Sequence, residues 1–467
     1  MTDEPNSTDD AAALTALVTS FESYDQSTTE AREEAEKARD YRNGVQWTDE
    51  EVAKLKQRKQ PVVTDDRIGP KIDSMMGLEA QRRSLPKAFP RTPAEEDGAN
   101  AATDSLRYVM DDQRWDRTRS ECWDNLIVEG ACGVDVRVAE KNGEMCIEIL
   151  PIPWDRMWGD EHSRAKNWND GKVKGQVLWM DLEDAVARWP DRREIIDSTM
   201  QNSGASGSQT YDDVPRTRWV DSKRKRVRVV EAWSKEGQEV YYTCFTKAGI
   251  LERMPSPYVD EDGNPDDGVV FGSCYIDRDG NRFGVVRRWI SVQDEINKRR
   301  SKFMHLVNVR QTWGNQVAGD KNKIRDELKK PDGHVEMAGS GKFGEDFGVL
   351  PTGDMAESQF QLLQDSRASI DALGANAAVL GKDSRVQSGR ALLQRTEAGL
   401  AELGPPLDAH KQFQLDVYRK VWNRIRQFWT AEKWIRVTDD ERNVRFVGLN
   451  QPMTLGQQLL DEIKQQG

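Results

Sequence analysis

The stretch from Arg282 to Gln311, RFGVVRRWISVQDEINKRRSKFMHLVNVRQ, has the most extended helical periodicity in the chain. Its apolar residues recur at steps of three and four, the spacing that places side chains on one side of a helix. They are Val285, Trp289, Val292, Ile296, Phe303 and Leu306. The stretch therefore predicts a long helix that buries one stripe.

The same stretch carries polar residues in two further patterns. Gln293, Asn297 and Ser301 are spaced four residues apart and form a second stripe, here called the polar seam. The second pattern is a basic cluster that consists of Lys298, Arg299, Arg300 and Lys302. A single-domain surface helix with a solvated charged face is the commonest explanation of such a pattern. The alternative is a helix that packs against several partners.

The composition is polar for a chain of 467 residues. Hydrophobic residues make up 37%, against about 45–50% in an average globular protein, and charged residues make up 32%. This balance predicts an elongated subunit, or one whose burial comes partly from neighbours. The 15 tryptophans argue against general disorder, because disordered chains are poor in aromatic residues. A net charge of -12 excludes a basic nucleic-acid clamp of the usual kind.

Local patterns predict a mixture of helices and strands. Residues 1 to about 30 suggest a loose N-terminal arm, with a short apolar patch of one or two helical turns. Asn142-Gly143, between two alternating segments, is a strong hairpin signal. A helix from about Trp179 should kink or end at Pro190, and a β-rich region follows from Arg216 to Tyr275. Five cysteines without CxxC spacing, no signal peptide and no long apolar run predict a soluble protein made in the cytoplasm.

The sequence offers no recognisable active site. Gly381-Lys382 lacks an upstream glycine at P-loop spacing, and Asp383 stands where Ser or Thr would bind magnesium. The segment DEDGNPDDG, from Asp260 to Gly268, lacks the final glutamate of a calcium loop and is better explained as an acidic hairpin turn. The four histidines are scattered. We therefore predict no catalytic residues, no metal site and no cofactor.

Short motifs occur in a fixed order over nearly the whole chain. They are Tyr41 with Gly44-Val45-Gln46-Trp47, Arg67-Ile68 through Gly77 with Arg82-Arg83, Trp154-Asp155, Trp189-Pro190-Asp191, Arg228-Val229-Val230-Glu231 with Trp233, Phe283-Gly284-Val285 followed by Gln293, Asn297 and Arg299 to Lys302, Ser388-Gly389-Arg390-Ala391, and Trp434-Ile435-Arg436-Val437. No single motif is specific. In this order and spacing the set resembles the portal proteins of short-tailed bacteriophages, the head-to-tail connector family.

The resemblance implies an α+β portal fold with a helical stem, a β-rich clip, an α/β wing and a helical crown, assembled as a ring of usually twelve subunits. Mapped onto this chain, it implies a flexible N-terminal arm (1–33), a first wing part (34–178), stem helix 1 (179–202), a clip (203–284), stem helix 2 (285–311), a second wing part (312–378), a channel loop (379–389), and wing or crown helices with a C-terminal hairpin (390–467).

The resemblance also implies a function and partners. The ring would occupy one capsid vertex of the virion after assembly in the host cytoplasm, and would conduct double-stranded DNA during packaging and ejection. It would dock the terminase large subunit, the major capsid or scaffolding proteins and tail adaptors, without contact with a membrane. The alternative is another multimeric virion structural or head-tail adaptor protein without a DNA channel.

Residue roles follow from the same resemblance. Lys382 and Arg385 on the channel loop are candidates for contact with DNA; an ordinary helix connection with solvated charges is the alternative there. A closed ring needs different contact faces on each subunit, so the polar seam is predicted to pack against the next subunit. The basic cluster has three open roles: facing the capsid shell, acidic residues of a neighbour, or DNA.

Overall fold

The computed structural model describes residues 7–93, 96–202, 219–308, 312–314, 320–327, 334, 342, 344–349, 353–373, 403–430, 432–438 and 444–450. The helices in these ranges are α1 (Ser7–Ser27), α2 (Thr29–Arg42), α3 (Asp49–Gln57), α4 (Ile68–Gln81), α5 (Glu96–Asp112), α6 (Trp115–Val128), α7 (Leu182–Arg188), α8 (Arg193–Asn202), α9 (Ile290–Asn308), α10 (Lys321–Glu327), α11 (Gly353–Ala372) and α12 (Gly404–Phe428).

The strands in the described ranges are β1 (Ala131–Lys141), β2 (Glu144–Ile152), β3 (Met157–Gly159), β4 (Val173–Asp181), β5 (Val220–Asp221), β6 (Arg226–Glu236), β7 (Glu239–Phe245), β8 (Ile250–Pro255), β9 (Tyr258–Val259), β10 (Pro265–Asp266), β11 (Val269–Ser273), β12 (Tyr275–Ile276), β13 (Arg282–Phe283), β14 (Thr312–Gly314), β15 (Phe347–Val349), β16 (Lys433–Thr438) and β17 (Val444–Leu449). The mixture of helices and antiparallel sheets confirms the α+β class.

The chain divides into two compact units. The first, called the sheet unit, comprises Met1–Arg39, Ser74–Arg287 and Gly404–Gly467. The second, called the helix unit, comprises Asp40–Asp73 and Arg288–Leu403.

A six-stranded sheet is the centre of the sheet unit. Its strands run in the order β3-β4-β6-β7-β8, with β5 paired to β6. Both faces of β6 are covered: Val227 and Val229 pack in one apolar cluster, while Val230 and Ala232 pack in another. The double burial explains why this strand is apolar at both odd and even positions.

Helix α1 covers one face of that sheet, which corrects the prediction of a flexible arm for residues 7–33. Leu17, Phe21 and Tyr24 are buried in the cluster that contains Trp158 and Trp219. Phe21 meets the two indoles edge-on, with ring centroids 5.3 and 5.5 Å apart. The apolar residues that suggested a short patch therefore belong to one side of a 21-residue helix.

The predicted hairpin is confirmed. Strands β1 and β2 pair antiparallel around Asn142 and Gly143, which both have positive φ, 54° and 81°. This is the backbone conformation that a two-residue type I′ turn requires. Strand β11 pairs with the other edge of β1. Glycine at position 272 leaves room for the ring of Phe413 on α12, because a Cβ there would lie 3.0 Å from that ring.

The chain around the predicted first stem helix is only partly helical. Trp179 to Asp181, assigned to that helix, are the end of β4, because their backbone pairs with Arg226 to Arg228 of β6. Helix α7 follows and ends before Pro190, which opens a short 3-10 turn leading into α8. The predicted break at this proline is confirmed.

Strands from the predicted clip, 203–284, share sheets with strands from the predicted first wing part. Strand β6 pairs with β4, and β11 pairs with β1. Residues 203–218 of that range lie outside the described residues. The acidic segment after Tyr258 is a hairpin turn, because β9 and β10 pair across it.

The helix unit is built around α9. Predicted from Val285, the helix starts at Ile290, after a 3-10 turn at Val286–Arg288. Ile296 and Leu306 are buried, and Phe303 packs against Phe360 of α11 with ring centroids 5.6 Å apart. The stripe predicted for this helix is therefore its packing face within the chain.

Helix α4 begins in the helix unit, where Ile68 and Ile72, one helical turn apart, are both buried. Its cap is Asp66. The Asp66 carboxylate accepts hydrogen bonds from the backbone N–H groups of Ile68 and Gly69, each at 3.1 Å. In the part of the chain that the structure describes, no helix is long and apolar enough to cross a membrane.

Candidate functional site

The polar seam of α9 holds a segment of the same chain, residues 63–67, which has no regular secondary structure. Ser301 Oγ accepts a hydrogen bond from the backbone N–H of Val63 at 3.2 Å. Asn297 Oδ1 accepts one from Asp65 at 2.8 Å, and Gln293 Oε1 one from Arg67 at 3.2 Å. The Gln293 amide also donates to the Asp65 carbonyl at 2.8 Å. The segment thus runs antiparallel to the helix and is bound at every second residue.

The spacing of the seam explains this fit. Helix residues four apart are separated by about 6 Å along the axis, and alternate residues of an extended chain by about 6.5 Å. Three polar side chains at i, i+4 and i+8 can therefore receive three alternate backbone N–H groups. The three side chains are 1% exposed or less, so each bond is shielded from water.

The seam continues into a buried network of side chains. Asn297 donates to Gln46 Oε1 at 2.7 Å, and Gln46 in turn donates to Asp66 Oδ1 at 2.9 Å and to the Tyr41 carbonyl at 3.2 Å. The Tyr41 hydroxyl bonds to Asp294 on the first turns of α9. Motif residues that lie far apart in sequence thus meet around one helix.

These contacts correct the role assigned to the seam. Gln293, Asn297 and Ser301 were predicted to face a neighbouring subunit. They are instead buried against their own chain, with their hydrogen bonds directed to residues 63–67 and Gln46. A buried amide that already has its partners has no exposed group to offer a second chain.

The basic cluster likewise has partners within the chain. Lys298 lies 3.3 Å from Glu51, and Arg299 pairs with Glu295 one turn earlier, with Nε 2.7 Å from the carboxylate. Arg300 reaches Asp65 at 2.9 Å. Lys302 is exposed and forms no ion pair within the described ranges. Three of the four residues therefore pair with carboxylates, as one of the open roles proposed, but these carboxylates belong to the same chain and not to a neighbouring subunit.

Asp65 is the charged centre of the site. Its carboxylate accepts hydrogen bonds from Arg367 of α11, with Nε at 3.1 Å, and lies 2.9 Å from Arg300 and 3.4 Å from Arg67. Burial by itself would raise the pKa of Asp65, but the hydrogen bond from Arg367 and the three guanidinium charges outweigh it and lower the pKa. The carboxylate is therefore ionised at neutral pH and ties the segment to α9 and α11.

Lys71 caps the carboxyl end of α11, the same end that carries Arg367. Its ammonium donates to the carbonyls of Ile370, at 2.6 Å, and of Leu373, and lies 5.0 Å from the centre of the Trp289 ring. A cation at the carboxyl end of a helix meets unpaired carbonyls and the negative end of the helix dipole. Lys71 therefore defines where α11 ends, just before residues 374–402.

A second polar cluster lies in the sheet unit beside a cavity of about 330 Å³. Buried Asp267 lies 2.8 Å from Lys174 and 2.9 Å from Lys420, and Arg424 donates to its carbonyl at 2.7 Å. Burial would raise the pKa of Asp267, but the two lysine charges lower it. Asp266 is a second carboxylate in this cluster, 2.9 Å from Lys420 and 3.2 Å from Arg424. We interpret the cluster as a tie between α12, β4 and the turn before β11. No group of potential metal ligands occurs among the described residues.

The channel-loop candidates Lys382 and Arg385 lie outside the described residues. The described part of the chain therefore does not test their role.

Two comparisons with known proteins match most of the chain. The model of the phage P22-like portal protein family matches residues 19–242 and 234–466. The portal protein of Helicobacter pylori bacteriophage KHP30 is 20% identical over 443 residues, which cover 94% of this chain and 70% of that protein. These matches define a class of structural proteins that are components of phage particles. The chain belongs to the phage P22-like portal protein family, as the resemblance predicted.

The sequence predicts the polar seam but not the segment that the seam binds. Gln46 belongs to one of the short motifs, and no local pattern marks Asp65 or Arg367 as its neighbours in space. The available signal was the spacing of amide and hydroxyl groups, since three side chains at i, i+4 and i+8 fit an extended segment. The segment that they bind is distant in sequence, so no local pattern identifies it.

Replacing Asn297 with alanine should destabilise the protein by about 2–4 kcal/mol, because the Asp65 N–H and the Gln46 side chain lose their partner in a buried site. Lys302→Ala, on the exposed side of the same helix, should change the free energy of unfolding by less than about 0.5 kcal/mol. Urea denaturation measures both. If the seam lies within one chain, the difference in free energy of unfolding between the two variants should be the same at low and high protein concentration. A difference that grows with concentration would show instead that the seam lies at a subunit interface.

Proposed function

We propose that this chain assembles into a ring, of twelve subunits by analogy with its family, at one vertex of a phage capsid. Double-stranded DNA would enter through the ring during packaging and leave through it during ejection. The ring would bind the terminase large subunit on the packaging side, the surrounding major capsid or scaffolding proteins, and later the tail adaptors.

The observation that carries the proposal is the family match, which extends from residue 19 to residue 466. Portal proteins generally form oligomeric rings that bind capsid, terminase and DNA. The charge of this chain agrees with a conduit. Duplex DNA is held tightly by proteins that neutralise many phosphates, and a chain with a net charge of -12 avoids this. DNA would therefore remain mobile in the channel.

We further propose the regional assignment that the resemblance implies, with a channel loop at 379–389. The assignment of 179–202 and 285–311 to the stem is retained for their helical parts, α7 with α8, and α9. Lys382 and Arg385 would provide a small number of positive charges to centre the DNA.

A second candidate is a multimeric virion structural or head-tail adaptor protein without a DNA channel. The polar composition and the family's structural character fit both candidates. The presence of a central hole that admits a DNA duplex separates them.

Native mass spectrometry with negative-stain microscopy tests the ring. We expect a closed multimer, with a mass near twelve subunits and a central hole. A monomer or dimer under all conditions would contradict the proposal, and a closed multimer without a hole would favour the second candidate.

Replacing Lys382 and Arg385 together with alanine should leave ring assembly intact and reduce the amount of DNA packaged or retained, because the loop loses its two positive charges. The matched control is Lys223→Ala with Lys225→Ala, which removes two exposed charges from the turn between β5 and β6. Packaging assays on both double variants measure the effect. Normal packaging with the loop variant, or an equal loss with the control, would contradict the role of the loop.

A further inference from the structure

We propose that Arg67, Arg300 and Arg367 form a binding site for a phosphate oxyanion on the helix unit. The three guanidinium groups come from three separate elements: the segment before α4, α9 and α11. They converge on the single carboxylate of Asp65, at 3.4, 2.9 and 3.1 Å respectively.

The charges at this point do not balance. Three guanidinium groups carry three positive charges, and Asp65 supplies one negative charge, which leaves a surplus of two. Among the described residues, no other carboxylate lies within ion-pair distance of these three arginines. Like charges held this close repel each other, so a further anion would stabilise the arrangement.

The hydrogen-bond donors do not balance either. Each guanidinium has five N–H donors, whereas one carboxylate has about four acceptor positions. Arg67 Nε is buried and has no hydrogen-bond partner. The side chains of Arg67 and Arg300 are 35% and 37% exposed, so the site is open to solvent on one side. The exposed parts of these two side chains are therefore accessible to a ligand, whereas Arg67 Nε, 3.4 Å from Asp65, is not.

A phosphate fits these properties better than a second carboxylate. A carboxylate brings one charge and two oxygens in a plane, whereas a phosphate group brings one or two charges on oxygens that point in several directions. Arginine forks bind phosphate through paired hydrogen bonds. The ligand is either an inorganic phosphate ion or a phosphodiester of a nucleic-acid backbone, and both have the same recognising chemistry.

Binding here would act on the fold of the helix unit. Asp65 already joins the segment 63–67 to α9 and α11, and a phosphate that contacts the same arginines would strengthen that junction. A ligand that binds only the folded state raises the melting temperature. The inference goes beyond the proposed channel function and does not depend on it.

The test is titration of the full-length protein with inorganic phosphate at constant ionic strength, with chloride as the reference anion, followed by calorimetry and thermal melting. A second arm replaces phosphate with a short DNA duplex. Arg300→Gln should weaken phosphate binding about tenfold or more, because it removes one charged donor. Arg299→Gln is the matched control, because Arg299 pairs with Glu295 on the same helix and not with Asp65.

Asp65→Asn gives an independent readout in case Arg300→Gln folds poorly. It removes the competing negative charge, so phosphate should bind at least as tightly and should raise the melting temperature more than in the unmodified protein. Binding of both probes assigns the site to phosphate groups in general, and binding of one alone identifies its source. Absence of binding beyond chloride, an equal loss in Arg299→Gln, or loss of binding in folded Asp65→Asn would overturn the proposal. The proposal would also be overturned if the unmodified protein did not bind phosphate and Arg300→Gln lost self-association. That result would show that a carboxylate of another copy occupies the site.

Discussion

The helix unit depends on a match between two periodicities. Side chains four residues apart on α9 meet backbone groups two residues apart on the segment 63–67, and the two spacings differ by only about half an ångström per step. Backbone N–H groups that are removed from water need partners, and an irregular segment cannot provide them by itself. Gln293, Asn297 and Ser301 supply them, and this allows a segment without secondary structure to be held against a buried helix face.

Polar residues do much of the packing in this chain. The seam, the Asp65 centre and the Asp267 cluster each place amides or charges where a more apolar protein would place aliphatic side chains. Buried charges are costly unless they are paired and hydrogen-bonded, and Asp65 and Asp267 are both paired with more than one cation. The low hydrophobic fraction of the sequence is thus partly explained inside the subunit. It does not by itself require burial by neighbours.

Local signals in the sequence predicted local structure well. Asn142-Gly143 predicted a turn because few other residue pairs adopt two successive positive φ angles, and Pro190 predicted a break because it lacks a donor. The buried residues Phe413 and Val417 of α12 have the same four-residue spacing that local patterns detect. Two predictions failed where the partner is distant in sequence. The N-terminal residues were expected to be loose because the indoles that receive Phe21 come much later in the chain: Trp158 lies on β3, and Trp219 lies just before β5. The seam was expected to face another subunit because its spacing is visible in the sequence and its partner is not.

The most direct test of this account is residue-resolved hydrogen exchange across positions 62–67. The seam binds the backbone N–H groups of Val63, Asp65 and Arg67, whereas those of Val62 and Thr64 donate no hydrogen bond within the described residues. The account predicts alternating protection, with Val63, Asp65 and Arg67 exchanging much more slowly than Val62 and Thr64, and this alternation should disappear in Asn297→Ala. Uniformly fast exchange along the segment in the folded protein would contradict the account.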